Sequence, residues 1–261
     1  MPAQKDEAVV LRRLDYSETS QVLAFFGRAS GQVRLIAKGI RRGTQKAFAT
    51  GIDLLEMGDV VFIRSEGGGG LGTLTEWRQT EPFLGLRTDV RRLYAGQYAA
   101  EITAALTEEG DPHPELFDAL VALLHSLASA PPEKAPDRSA PLRNPGGPEA
   151  GGPLAVLVRF QMQLLTSIGL VPIFDGCAAC QRQRPPRELE YFSAGQGGMI
   201  CRDCEPTVIE KRRVVPGVAA ALSQDAVPAA LLAGAFDVLN YAISCAMGRP
   251  PKLAAYIAAP G

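Results

Sequence analysis

Histidine occurs only twice in the 261 residues, at His113 and His125, and tryptophan once, at Trp77. A reaction centre built from several imidazoles is therefore excluded. Aromatic residues amount to 7%, too few for an extended base-stacking surface. No apolar run approaches the ~18 residues that would suggest a membrane span, so none is expected. The opening MPAQKDEAVVL lacks a basic segment followed by a long apolar core, so secretion is not expected and the cytosol is the expected compartment. Acidic residues are absent from 20–51, a stretch that holds Arg28, Arg34, Lys38, Arg41, Arg42 and Lys46. The net charge of −1 excludes a uniformly basic protein, but a local cationic stripe is compatible with binding a polyanion through one face. A solvated face with acidic neighbours in space is the plainer reading. With 46% hydrophobic and 21% charged residues the composition is that of a globular chain.

The first eighty or so residues read as β structure. AVVLRRLDY, QVLAFFGR, GQVRLIAKG, DVVFIRSE and GTLTEWRQT are short apolar or alternating runs, punctuated by Gly27, Gly31, Gly39, Gly58 and the glycines at 67–70. Five such strands suit an OB-type barrel, with 47–55 as the short helix or loop between the third and fourth. In GQVRLIAKG a period of two puts Val33, Leu35 and Ala37 on a core face and Arg34, Ile36 and Lys38 on the outer face. EGGGGLG (66–72) lacks the G-K-[ST] of a phosphate loop and reads as a hairpin tip before a strand over 74–79.

Beyond Pro82 the period changes to three and four. Leu86, Val90, Leu93, Tyr94, Tyr98, Ile102, Ala105 and Leu106 predict an amphipathic helix ending near Gly110. A second helix is predicted from Pro114 to about residue 130, a third over 154–168, and a further one over 229–247. Between the second and third, residues 131–153 hold seven prolines and four glycines in 23 positions, a composition that reads as a mobile loop or linker. The predicted class is α+β and multidomain. An OB-fold barrel over 1–83 precedes a helical domain over 84–175, a four-cysteine zinc ribbon over 176–206 is inserted, and helices in 207–261 complete the helical domain.

Four of the five cysteines form C-x2-C-x20-C-x2-C: Cys177, Cys180, Cys201 and Cys204. Two tight C-x-x-C turns supply four thiolates, the donor set of a tetrahedral structural zinc site. Structural disulfides do not persist in a cytosolic protein, and a thioredoxin-like centre needs a single pair. Iron–sulfur ligation also uses four cysteines, but one structural Zn2+ is expected. His113-Pro114-Glu115 matches half of a zinc-deaminase signature. Gly176 stands where that signature has proline, and the second pair fills the coordination sphere, which leaves no position for a catalytic water. His113 therefore reads as a loop residue before a helix, His125 as half-buried and Cys245 as a small core residue. No catalytic residues, and no enzymatic activity, are expected.

The segments DEAVVLRRLDYSETS (6–20), GQVRLIAKGIRRGTQK (31–46), GLGTLTEWRQTEPFLGLRTD (70–89), YFSAGQGGMICRDC (191–204) and GRPPKL (248–253) follow one another in an order that resembles the RecO family of bacterial recombination mediators. The insert at 131–153 departs from the family pattern and bears on domain boundaries. The resemblance implies a cytoplasmic, nucleoid-associated DNA repair factor without catalytic activity. It implies binding of single- and double-stranded DNA and annealing of complementary strands. With the RecR partner, it implies loading of the recombinase onto DNA coated by the single-stranded-DNA-binding protein. The C-terminal tail of that protein is expected to dock on the helical part.

On this chain the DNA-binding residues are expected to be Arg34, Lys38, Arg41, Arg42 and Lys46, with Arg12 and Arg13 on the first strand extending the patch. Tyr16, Phe48, Trp77 and Phe83 are the aromatic candidates for stacking; Phe25, Phe26 and Phe62 read as core. Many cations and few stacking groups predict backbone-dominated, salt-dependent binding. Two other readings compete, an OB and zinc-ribbon module for RNA or transcription and a zinc-dependent nucleic-acid enzyme.

Overall fold

The computed structural model describes residues 2–18, 20–38, 52–65, 70–129, 152–183 and 189–257. The chain divides into two compact units, Met1–Ser129 and Ala130–Gly261.

In the first unit five strands close a barrel: β1 (Gln4–Asp15), β2 (Ser20–Gly27), β3 (Gly31–Lys38), β4 (Met57–Ile63) and β5 (Gly72–Glu81), in the order β1-β2-β3-β5-β4. All neighbours are antiparallel except β3 and β5, which run parallel. This is the closure of an OB-fold, which leaves no long free edge. The alternation predicted for β3 holds: Val33, Leu35 and Ala37 are buried, while Arg34 and Lys38 are exposed. Phe25, Phe62, Leu23, Val60 and Trp77 fill the interior with them.

The β2–β3 turn shows why Gly31 is there. Its φ is +65°, and a side chain would place Cβ 2.2 Å from the carbonyl oxygen of Asp111. The Asp6 carboxylate ties the same turn, accepting from Ser30 N at 2.8 Å and Ser30 Oγ at 2.6 Å.

The helical periodicity after Pro82 resolves into a 3-10 turn (Leu84–Thr88) and α1 (Val90–Leu106), which stops four residues short of Gly110. Asp89 separates the two by capping α1, its Oδ1 accepting from Arg91 N at 2.8 Å. Helix α2 (Pro114–Ser129) starts after His113, whose carbonyl accepts from Phe117 N at 2.9 Å. His113 thus occupies the expected position before a helix. The ring of Phe117 lies 6.3 Å from that of Phe26, joining α2 to β2. This unit therefore includes α1 and α2 along with the barrel.

In the second unit α3 (Pro153–Ser167) packs on α5 (Leu232–Met247). A three-stranded sheet follows α3, formed by β6 (Leu189–Ser193), β7 (Gly198–Cys201) and β8 (Arg212–Arg213) in the order β7-β6-β8. Short helices α4 (Val218–Ser223) and α6 (Ala254–Ile257) flank α5. The stretch Ala229–Met247 is 19 residues long with a mean hydropathy of 1.5, apolar and long enough to cross a membrane by composition alone. That corrects the expectation that no segment reaches such a length. Its packing is that of a core helix, with Leu232, Phe236, Leu239 and Ile243 buried on one side and Asp237 exposed on the other. Cys245 is a second correction: it is exposed near the end of this helix and is no part of the core.

Candidate metal centre and nucleic-acid face

The four cysteines converge. Their sulfurs all lie within 4.8 Å of one another, and among the described residues they are the only metal-competent group. A tetrahedral ion with ~2.3 Å bonds to sulfur sets its ligands ~3.8 Å apart, so the arrangement fits a thiolate-bound metal. Local backbone structure brings the pairs together. Cys177 and Cys180 form a tight turn in which Gln181 N donates to Cys177 O at 2.7 Å, Gln181 itself having φ 58°. Cys201 ends β7, and Cys204 N donates to Cys201 O at 3.1 Å in the second turn. Between the pairs, Ala178 N donates to Met199 O at 2.8 Å. Gly198 lets Ile173 run alongside β7, because a Cβ there would lie 2.6 Å from Ile173 O.

The electrostatics match a cation-binding set. Burial opposes ionisation of Cys177. The N–H groups of Cys201, Cys180 and Ala179 outweigh it and draw the thiol down to about 6. Cys204 is pushed up to about 12 by its hydrogen bond with Cys201, by burial, and by the nearby Cys180 and Cys177 sulfurs. Four thiolates this close repel one another, and a divalent ion at their centre reverses the sign of that interaction.

The ribbon is anchored to helix α5. Phe192 of β6 lies 6.2 Å from the ring of Tyr241, edge to face. The Tyr241 hydroxyl donates to Glu210, whose carboxylate also accepts from Ser193 Oγ at 2.7 Å and Gly195 N at 2.9 Å.

The second candidate region is the outer face of β1, β2 and β3. Strand β1 carries a bulge at Leu11, so that Val10 pairs with Phe25 and Arg12 with Ala24. Cross-strand partners share a face. Arg12, Ala24 and Arg34 therefore form one outward row, and Leu14, Val22 and Ile36 the next. In a third row Lys38 pairs with Ser20, whose carbonyl accepts from Tyr16 N at 3.0 Å. Among the described residues, no carboxylate stands in these rows.

Arg12, Arg34 and Lys38 are exposed as predicted. Arg34 is ion-paired with Glu109 from the segment between α1 and α2. Arg13 points the other way from Arg12 and binds Asp53 at 2.9 Å, a carboxylate that Arg87 also contacts at 2.9 Å. Arg41, Arg42 and Lys46 lie outside the described residues, as does Phe48.

Two of the predicted stacking aromatics are corrected. Trp77 is 8% exposed and Phe83 1% exposed. Trp77 packs 5.3 Å from Phe25 inside the barrel, and Phe83 meets His125 at 4.9 Å. Burying such a ring is worth ~1.5–3 kcal/mol, about what a stacked base returns, so neither has reason to leave the core. His125 itself is exposed, more so than expected. His113 is paired with Asp111 at 3.2 Å and is not among the residues gathered at the cysteines. Glu109 and Asp53 were invisible in the sequence as partners of these cations, because each reaches its arginine across a long sequence separation.

The model of the Recombination protein O N-terminal family matches residues 1–83, and that of the C-terminal family matches 87–143 and 147–252. The DNA repair protein RecO of Anaeromyxobacter dehalogenans is 32% identical over 225 residues, covering 85% of this chain and 78% of the relative. That of Rhodopirellula baltica is 31% identical over 201 residues, 77% and 66% of the two chains. That of Alkaliphilus metalliredigens is 30% identical over 200 residues, 77% and 71%. A five-stranded closed barrel, a helical second unit and a four-cysteine cluster lie within these matched stretches, and the chain belongs to the RecO family of DNA repair proteins.

Proposed function

We propose that this chain is a non-enzymatic DNA repair factor. It binds single- and double-stranded DNA and anneals complementary strands in the cytoplasm, at the nucleoid. With RecR it helps load the recombinase onto DNA coated by the single-stranded-DNA-binding protein, whose C-terminal tail docks on the helical part. The observation that carries this reading is the outer face of β1, β2 and β3, where Arg12, Arg34 and Lys38 project from two edges of a three-strand surface. Among the described residues no carboxylate stands in their cross-strand rows, and Glu109 reaches Arg34 from outside them. Arg41, Arg42 and Lys46 follow directly in sequence and extend the cationic stretch. Arg13 faces the other side of β1, bound to Asp53, so of the two β1 arginines Arg12 is the one that extends this patch.

Annealing needs two polyanions brought together while their base edges stay free. Cations that neutralise phosphates without reading bases meet that need. The four thiolates hold one Zn2+ through Cys177, Cys180, Cys201 and Cys204. A closed four-sulfur set gives the ion a structural role, with no open position for substrate or water. The fold of the ribbon around it supports this assignment, since both pairs sit in hydrogen-bonded turns.

The test is strand annealing of complementary oligonucleotides, naked and coated with the single-stranded-DNA-binding protein, with and without RecR. Faster annealing in both settings, without turnover of nucleotide or phosphodiester, is expected. Binding to RNA in preference to DNA, or chelator-sensitive hydrolysis, would replace this reading by one of its competitors.

A further inference from the structure

Between the cationic positions of the barrel's outer face lies an apolar strip. Leu14 is 66% exposed and Tyr16 72% exposed on β1 and its continuation, with Val22 and Ile36 half-buried beside Leu14. Single exposed hydrophobic residues are ordinary, but these are contiguous by register, on a sheet face that a soluble barrel normally keeps polar. Arg34 and Lys38 stand four residues apart on β3, ~13 Å along the strand, and the three strands span ~10 Å across. The strip is thus bracketed by positive charge along its length.

With Trp77 and Phe83 buried, Tyr16 is the exposed aromatic of the barrel among the described residues. Its backbone is tied to the sheet by the hydrogen bond from its N–H to Ser20 O at 3.0 Å, so the ring extends from a fixed base, not a free loop.

We infer that Tyr16, with Leu14 and Ile36, is a base-stacking platform that makes this face select single-stranded over duplex DNA. The inference rests on the proposed DNA-binding role of the same face and adds what that role leaves open. Cations alone bind both forms, whereas an apolar strip between them is covered only by bases that are not already stacked in a duplex. Charge complementarity names the occupant: apolar surface flanked by Arg12, Arg34 and Lys38, with no carboxylate in the rows and Glu109 reaching Arg34 from outside them, suits the alternating phosphates and base faces of a single strand. Phosphate contacts to the cations orient the strand, and the Tyr16 ring then receives one base without reading its edges.

The experiment compares Tyr16→Ala, Tyr16→Phe and Lys38→Ala in the full chain, binding a labelled mixed-sequence single strand and the same sequence as a duplex, across a salt series. Tyr16 is exposed, so its removal leaves the core intact. Tyr16→Ala is expected to weaken single-strand binding roughly 5- to 100-fold, the effect of removing one stacking platform. Its salt slope stays unchanged, duplex binding is affected far less, and Tyr16→Phe restores the single-strand affinity. Lys38→Ala is expected to weaken both substrates and flatten the slope by ~0.7 for the single strand. Equal losses on both substrates for Tyr16→Ala overturn the stacking role. So does no loss on the single strand while Lys38→Ala still weakens binding; that outcome leaves the cationic face standing. No effect from either variant overturns the proposed DNA-binding face as well.

Discussion

The backbone N–H of Cys201 donates to the sulfur of Cys177 at 3.3 Å, joining two cysteine pairs across 24 residues of sequence. An N–H aimed at sulfur favours the thiolate, and the same geometry is what a thiolate-bound ion requires of its surroundings. Cys177→Ala is therefore expected to abolish stoichiometric zinc and to loosen the ribbon locally. The check is metal content by emission spectroscopy together with hydrogen exchange over β6 and β7. Because the remainder of the second unit has its own α3–α5 packing, global unfolding is not expected. Single-strand affinity of the folded variant should stay at the parent value. A folded, zinc-free variant that has lost DNA binding contradicts a purely structural metal.

Glu109 sits on Arg34 and competes with any phosphate that Arg34 would bind. Both partners are substantially solvent-accessible, 52% and 32% for their side chains, and such pairs are worth ~0.2–1 kcal/mol. Glu109→Gln is expected to raise single-strand affinity by up to ~5-fold in low salt. Adding Arg34→Ala should remove that gain, which fluorescence anisotropy on both variants will measure. Unchanged affinity in Glu109→Gln would mean that Arg34 does not contact DNA.

Much of this architecture was legible in the chain because local rules agreed with the final packing. The period of two in GQVRLIAKG assigned the correct face to Val33, Leu35, Ala37, Arg34 and Lys38. The paired C-x-x-C spacing picked out four cysteines whose sulfurs long-range folding brings within 4.8 Å of one another. What stayed hidden depends on register or distant contacts. The bulge at Leu11 shifts the phase of β1, so that Arg12, two residues after the core residue Val10, faces outward with Ala24, and no propensity announces it. Trp77 and Phe83 carry no local mark of burial, and Phe83 adopts φ 45°, a left-handed conformation that sequence patterns do not suggest. Glu109 comes near Arg34 only because the segment between α1 and α2 runs beside β3, where Gly110 N donates to Gln32 O at 2.9 Å.

The cationic stretch can be tested as a group. Changing Arg34, Lys38, Arg41 and Arg42 together to Ala should weaken binding to every sequence alike. The log–log salt dependence should flatten by ~0.7 for each single-strand phosphate that the variant no longer neutralises. Titrations from low to moderate salt with two unrelated sequences will give both quantities. An unchanged slope removes these residues from the interface, while a sequence-dependent loss argues for base readout in place of backbone neutralisation.

Glu210 links the β6–β7 hairpin to α5 and should make the second unit acid-sensitive. Burial works to raise its pKa, but hydrogen bonds from Tyr241, Gly195, Ser193 and Ala194 together hold it below the ordinary 4.5. A carboxyl whose folded value is depressed adds stability that is fully present above its unfolded value, and loses it as pH falls through the folded one. At pH 7 Glu210→Gln is therefore expected to cost ~1 kcal/mol, the value of charged hydrogen bonds discounted for solvent exposure. Near pH 3 the difference from the parent should shrink, because the parent carboxyl is itself becoming protonated. Tyr241→Phe should lower stability in the same direction, by removing one donor while keeping the Phe192 ring contact. Urea unfolding followed through the Gly195 and Ala194 amides at several pH values will separate these outcomes. A Glu210→Gln deficit that stays constant from pH 7 to pH 3 would show that packing, not the carboxylate charge, secures the hairpin.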